Sequence, residues 1–512
     1  MKGSSFALAS SEMGISLLPS HWPSIPPSIA SFHEAASFMG EIPGAENLPV
    51  VGPGLWLRQL RGTMQRHPLL AKTLHNLLHV AGGNASAAAI NAFVLVLMAR
   101  MLGPAALGVF AMVESYGTLI DQVVRLETWQ PLIRYGTQAL EDHRSSRFLA
   151  LVKLGILVDC AGAALAASVA LVAVGPAGHL LHWDAATADL ARWYCLAVLA
   201  GVSSTPIGIL RVFDRFRQFA WLEPAAAIVR LAGVAVAFWL NGSIWHLLLI
   251  FIAVQWLYRF ALGTLAWREL RRRGHGNPFR ARLGELRPLA RGYLRLTVAT
   301  NAAALVRKST QELDVLVVGS LAGTTAVGLY DLVRRITTAA IKAGTMVQQV
   351  ALPDLSRLWV RRDFRGFKTL VGQIELMTAA IGIAFVVLTA SRGGWIVETL
   401  AGPRFAAAQG PLLVQSIAGC LFLCGSAIRP ALITMGSETH LLASVLVSAV
   451  AFYVTLFLAV PAWGAVGASA AHVAFNIMLL PLGGLAFAAA LRVPRVARNH
   501  PHRSPSIPRS RG

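Results

Sequence analysis

The chain carries little charge for its length. Only 13% of its 512 residues are Asp, Glu, Lys or Arg, against about 25% in soluble proteins. Hydrophobic residues make up 55%, and the mean hydropathy is +0.59. That balance excludes an ordinary water-soluble enzyme. Acidic residues are scarcer still, 24 against 45 Lys and Arg, a net charge of +21. Cysteine is nearly absent. Cys160, Cys195, Cys420 and Cys424 all lie in apolar segments, so no disulfide framework is legible. Cys420 and Cys424 are one turn apart, as suits small core residues; a metal pair needs further ligands nearby. Motifs of common chemistries are missing as well. There is no G-x-x-x-x-G-K-[ST] loop, no H-E-x-x-H and no G-x-S-x-G, which removes the usual ATPase, zinc-protease and nucleophile-elbow readings.

What is present is a series of apolar runs, each long enough to cross about 30 Å of hydrocarbon. They fall near 74–100, 105–126, 148–174, 188–210, 219–240 and 244–266, then 296–318, 325–353, 366–390, 411–435, 439–461 and 463–490. The arginines collect in alternate loops: Arg134, Arg144 and Arg147; Arg211, Arg215 and Arg217; nine Arg within 268–295; Arg357, Arg361, Arg362 and Arg365. This distribution is the cytoplasmic-loop pattern rather than a nucleic-acid surface. It places both termini in the cytoplasm. The domain organisation expected is a disordered extension over 1–70, a six-helix bundle over 71–267, a basic linker over 268–295, a second bundle over 296–491 and a basic disordered tail over 492–512. The extension lacks the charged and apolar regions of a signal peptide, and Met39 and Met64 are alternative starts within it.

Two junctions repeat 220 residues apart. Gly103-Pro104-Ala105-Ala106-Leu107-Gly108-Val109-Phe110 matches Gly323-Thr324-Thr325-Ala326-Val327-Gly328-Leu329-Tyr330. Each follows one apolar run and opens another. The fold class expected is therefore an all-α polytopic membrane protein of about twelve helices in two parallel repeats, a common transporter build.

Charges at membrane depth are costly and mark function. Glu114, Thr118, Asp121 and Arg125 recur at helical spacing on the second run. Asp331, Arg335, Thr338, Lys342, Thr345 and Gln349 do so on the eighth. Such stripes avoid lipid and face each other or a water-filled cavity. Asn301, Arg307 and Lys308 lie within the seventh run, with Asp314 nearer its end, and Glu223 and Arg230 share a face of the fifth. The pairs Asp121–Arg125 and Asp331–Arg335, at i,i+4, can also neutralise each other and serve only packing. Lys342 and Arg307 have no acid at i±3 or i±4. The candidate anion-binding cations are Arg125, Arg307, Lys308, Arg335 and Lys342. The candidate coupling acids, for H+ or Na+, are Glu114, Asp121 and Asp331. No other cofactor, metal or catalytic residue is expected.

Several motifs resemble a known family. Ala99-Arg100-Met101-Leu102-Gly103-Pro104 with Leu107-Gly108 is similar to its first junction. Gln130 to Gly136, Leu210 to Phe216, Leu313 to Gly319, Val327 to Tyr330, Leu352 to Arg357 and Gly464 to Ser469 resemble its later signatures, in order, over about residues 70–490. The family is that of the Wzx-type lipid-linked oligosaccharide flippases, in the multidrug/oligosaccharidyl-lipid/polysaccharide exporter superfamily. The resemblance implies a V of two six-helix bundles, like that of multidrug exporters, in the bacterial inner membrane. It implies a non-enzymatic role, moving undecaprenyl-pyrophosphate-linked oligosaccharide for O-antigen, capsule or exopolysaccharide. Membrane lipids, a polysaccharide polymerase and glycosyltransferases are the partners expected, and nucleic acid is not. The competing readings are a cation-coupled drug or small-molecule exporter, a peptidoglycan-precursor flippase and a membrane glycosyltransferase or polymerase. The last is disfavoured by the short, mostly apolar outer loop near 391–410.

Overall fold

The computed structural model describes residues 68–492; within them the side chains of several stretches, 302–311 and 343–354 included, are outside the description. The ends expected to be disordered, 1–70 and 492–512, lie outside the described residues apart from their inner edges. All regular structure among the described residues is helical. The first half comprises α1 (Pro68–Val124), α2 (Trp129–Glu141), α3 (Ser145–Leu180), α4 (Ala185–Leu199), α5 (Ser204–Val212), α6 (Phe216–Trp239) and α7 (Ile244–Arg272). The second comprises α8 (Arg287–Val360), α9 (Phe364–Ala401), α10 (Gln409–Cys424), α11 (Ile428–Thr434), α12 (Glu438–Trp463) and α13 (Ala465–Arg492).

Among the described residues ten segments are long and apolar enough to cross a membrane. Two of them, Ala85–Val124 and Glu312–Lys342, run through a glycine that interrupts the helix: Gly103 in α1 (φ 74°, ψ 178°) and Gly323 in α8 (φ 78°, ψ 176°). Hydropathy predicts twelve runs; here the first and second, and the seventh and eighth, are joined across these glycines. The backbone values belong to a region open essentially only to glycine, so the first glycine of each repeated junction is there for its conformation.

The second glycine is there for contact. A Cβ on Gly108 would lie 1.8 Å from the Thr324 carbonyl oxygen, and one on Gly328 would lie 1.9 Å from that of Pro104. Thr324 and Pro104 are equivalent positions of the two repeats. The junctions therefore cross each other backbone to backbone, related by an approximate two-fold. Small residues permit such approach where lipid offers no hydrophobic drive between helices.

The core follows from that crossing. Around it one apolar cluster mixes Ala111, Met112 and Tyr116 with Val315, Val327, Tyr330 and Leu456. A neighbouring cluster mixes Val94, Met98 and Phe110 with Leu332, Val397 and Phe405. Arg100 adds to the tie by donating to the Thr399 and Leu400 carbonyls at the end of α9. Away from the crossing the clusters separate. One holds Leu132, Phe148, Leu210 and Leu270, with Tyr293 of α8 joining it from the second half. Another holds Leu355, Phe367, Ala427 and Leu432. Halves that share a core at one end and keep separate cores at the other form a V.

Two runs read as continuous from hydropathy, 188–210 and 411–435, are broken. α4 stops at Leu199 and α5 starts at Ser204; α10 stops at Cys424 and α11 starts at Ile428. Pro206 and Pro430 sit in the first turn after each break, where proline removes an amide and blocks helix continuation. The exposed amides find carboxylates of the preceding crossing. Thr205 N donates to Asp159 Oδ2 at 2.7 Å; Ala427 N and Ile428 N donate to Glu375 Oε1 at 2.7 and 3.1 Å. Both repeats thus use one device, an acid in a lipid-facing helix that satisfies a broken one.

Substitution tests these glycine roles. Gly103→Ala and Gly323→Ala are expected to destabilise by about 1–3 kcal/mol through strain, and Gly108→Val by more, through direct collision. Gly372→Ala is the control: it is helical with open space at the Cβ position, so it should be neutral or stabilising by about 0.5–1 kcal/mol. Thermal unfolding in detergent reads the order, and equal effects at all four positions would contradict it.

Candidate translocation site

The polar residues nearest the crossing form one network. Arg335 Nε donates to Asp331 Oδ2 at 2.7 Å, and its NH2 donates to Glu114 Oε2 at 2.7 Å. The first contact is a helical turn within α8, and the second joins the halves. Beside it, Arg334 lies 3.3 Å from Asp314 and 3.5 Å from Asp331. The Tyr330 hydroxyl donates to Asp314 Oδ2 at 2.6 Å and lies 2.6 Å from His472 Nε2. Asp314 and Asp331 are each 1% exposed. Two buried carboxylates therefore face two guanidiniums, as burial of charge in an apolar setting requires.

Moving along α8 from the crossing, the stripe comes into the open. Asp331 is buried, the Arg335 side chain is 38% exposed, and Thr338 and Lys342 are exposed. This gradient is what a cleft between diverging arms produces. The opposite stripe on α1 runs the other way. Side-chain exposure falls from 26% at Glu114 to 18% at Asp121 and 13% at Arg125. Arg125 pairs with Asp121 at 2.8 Å, donates to the Gly201 carbonyl and lies 3.3 Å from Ser203 Oγ. Arg125, expected among the cavity cations, spans the break between α4 and α5 through its contact with the Gly201 carbonyl. The side chains of Arg307 and Lys308 lie outside the described residues.

Arg230, noted on one face with Glu223, donates to Asn91 Oδ1 at 2.9 Å and lies over the Phe251 ring at 5.0 Å. Sequence reasoning missed other members of this wall. Arg259 is half-buried, within the fields of Arg125, Asp121 and Glu223. Tyr194 lies within the fields of Glu114, Asp121, Arg230 and Arg335, and Gly117 makes room for its ring. Asn301 was noted for its depth; it closes a contact between halves, accepting from Glu127 N at 2.8 Å and donating to Glu127 O at 3.1 Å. A lone His or Arg within an apolar run is the signal that marks His472 and Arg259 in retrospect.

Cys195 is buried, Cys420 and Cys424 are partly buried, and Cys160 is exposed on its helix. Among the described residues no group of three His, Cys, Asp or Glu is placed to hold a metal ion. What the site can do is bind and release: it offers paired acids and bases at the crossing, and a cationic, hydroxyl-bearing wall in the cleft.

Comparison with known proteins agrees with the motifs. The family model described as "Polysaccharide biosynthesis protein" matches residues 74–359. An inner membrane protein of Escherichia coli K12, YghQ, is 27% identical over 289 residues, 56% of this chain and 80% of that protein. The solved lipid II flippase MurJ, in an inward closed conformation, superposes with a TM-score of 0.63 at 13% identity, covering 81% of this chain and 87% of its own. An inward-facing multidrug resistance MATE transporter gives 0.57 at 9% identity, covering 83% and 99%. The Vibrio cholerae MATE transporter VcmN gives 0.51 at 14% identity, covering 82% and 97%. At these identities the structural likeness speaks for the fold: a multi-pass helical membrane fold shared by flippases and exporters.

The network carries its own test. Arg335→Ala strips buried Asp331 of its closest partner, for which about 3–5 kcal/mol is the ceiling, lowered by Arg334 nearby and by the half-open setting. Glu114→Gln removes only the contact between halves, at a cost within about 1 kcal/mol. Thermal melts in detergent should show the larger loss for Arg335→Ala; a larger loss for Glu114→Gln would contradict the pairing described.

Proposed function

The chain belongs to the polysaccharide biosynthesis protein family, and from that premise we propose that it flips a lipid-linked oligosaccharide across the bacterial inner membrane. The cargo in this reading is an undecaprenyl-pyrophosphate-linked unit for O-antigen, capsule or exopolysaccharide. The observation that carries the reading is the graded stripe of α8, from the ion-paired crossing to exposed Lys342. A cleft of that kind suits a cargo whose head is anionic and hydroxyl-rich.

In this mechanism the V opens towards the arginine-rich ends of the arms, which charge distribution assigns to the cytoplasm. Both termini then lie on that side. The pyrophosphate and sugars enter the cleft while the lipid tail stays in the bilayer. Lys342 attracts the anion, and Arg307 and Lys308 are the further candidate cations of α8. The bundles, 71–267 and 296–491, rock about the Gly108–Gly328 crossing, and the basic 268–295 segment links them. As they rock, Glu114 leaves Arg335. A proton or Na+ taken up by Glu114, Asp121 or Asp331 would favour one state, because a coupling ion must bind the two states unequally.

Lipid analysis of a deletion strain tests the reading, with a membrane-impermeant reagent reporting sidedness. The expected result is a pyrophosphate-linked oligosaccharide trapped on the cytoplasmic face and loss of a surface polysaccharide. Unchanged lipid intermediates and an intact polymer, in a strain with no redundant flippase, would move the reading to small-molecule export. Lys342→Ala and Arg307→Ala should each lower export several-fold with folded protein unchanged, measured as surface polymer per amount of membrane protein. Normal export in both would remove these residues from the site.

A further inference from the structure

The far end of the V carries a contact between the halves that the mechanism above does not use. α1 ends at Val124, about 24 Å of helix beyond Gly108, and the residues that follow, Arg125 to Thr128, are not helical. The backbone groups of such a turn need partners, and the second half supplies them for Glu127. Asn301 Oδ1 accepts from Glu127 N at 2.8 Å. Asn301 Nδ2 donates to Glu127 O at 3.1 Å and, within α8, to Thr297 O at 2.7 Å. A side-chain amide holds an acceptor and a donor side by side, so it pairs with a peptide backbone in both directions.

The surroundings fit a docking contact. Tyr293, Thr297 and Asn301 recur every four residues on one stripe of α8. Tyr293 is buried among Leu132, Phe148 and Leu210 of the first half, and its hydroxyl lies 3.4 Å from Thr128 O. The turn that receives them is itself fixed. Thr128 Oγ1 donates to Asp159 Oδ1 at 2.8 Å, and Ser204 Oγ accepts from Thr128 N and Trp129 N at 2.6 and 2.9 Å. α1 and α8 are thus joined at two places, at Glu114–Arg335 beside the crossing and at Glu127–Asn301 away from it. Rocking that widens the cleft breaks the second.

We propose that Asn301 is the latch of the cleft. With its amide on Glu127 the arms are held together at their far ends, and its release widens the mouth. A neutral contact suits that role: parting it strands no buried charge, and water replaces both hydrogen bonds. That the mouth admits a lipid-linked cargo rests on the flippase reading above; the latch itself needs only two bodies that rock.

Cysteine accessibility in inverted membrane vesicles tests it. The reporter is Thr338→Cys, an exposed position of the α8 stripe, in the full-length chain lacking Cys160, Cys195, Cys420 and Cys424. A membrane-impermeant methanethiosulfonate is the probe, and mass spectrometry of the peptide carrying position 338 gives the rate. Asn301→Ala should raise the rate at least threefold. A disulfide between Glu127→Cys and Asn301→Cys, formed before labelling, should lower it at least tenfold, and reduction should reverse that. A rate unmoved by the cross-link would show that α8 keeps this contact throughout as part of the first body, and would overturn the proposal even where Asn301→Ala does not fold. A rate unmoved by Asn301→Ala, in a protein that melts as the parent does, would overturn it too. These rates need no cargo. A latch that responds as expected in a protein whose deletion leaves lipid intermediates unchanged would sink the flippase reading alone; a deletion phenotype with both rates unmoved would sink the latch alone.

Discussion

The structure depends on one close approach, that of Gly108 to Thr324 and of Gly328 to Pro104. No side chain fits between these backbones, so the two halves are held at a fixed separation there. Everything near the crossing is shared: the apolar clusters, the Arg100 contact to the end of α9 and the Glu114–Arg335 bridge. Everything far from it packs mainly within one half. A rigid contact at one end and independent cores at the other give a body that bends about the contact. Alternating access in a transporter asks for that property, and here it follows from where four glycines stand.

Charge is arranged around the same point. At the crossing, acids and bases neutralise each other in pairs, since burial leaves no alternative. Down the cleft the α8 stripe becomes exposed, while the α1 stripe turns into its own bundle. The two walls of the cleft are therefore unlike, although the helices that carry them are equivalent in the repeats. The difference arises at the break between α4 and α5, where the Gly201 carbonyl captures Arg125. In the second repeat the corresponding break is capped by Glu375 while Arg429 turns to an aromatic ring. Sequence drift between repeats has kept the scaffold and changed the lining.

Much of this was legible in the chain. The repeated junction announced the duplication, whereas the close approach of its glycines came from the packing of α1 on α8. Helical spacing grouped Glu114 with Asp121, and Asp331 with Arg335. It did not reveal which face was consumed by packing. Periodicity reports direction around one helix, whereas the fate of Arg125 depended on a carbonyl freed 76 residues later. The breaks in the fourth and tenth crossings were hidden for a similar reason. Pro206 and Pro430 were visible, but hydropathy averages over them. The acids that compensate, Asp159 and Glu375, stand alone in apolar runs where no spacing rule singles them out. His472 and Tyr330 meet Asp314 only through the packing of α13 on α8.

The account stands on the halves rocking about the crossing, with the Glu114–Arg335 contact beside it parting as they do. The direct measurement is a disulfide between Glu114→Cys and Arg335→Cys, in a variant lacking Cys160, Cys195, Cys420 and Cys424, followed by polysaccharide export in cells. Oxidation should stop export and reduction should restore it, because the cross-link then stops the two halves from rocking. Full export with the cross-link quantitatively formed would show that transport does not need the Glu114–Arg335 contact to part, and the mechanism would fall.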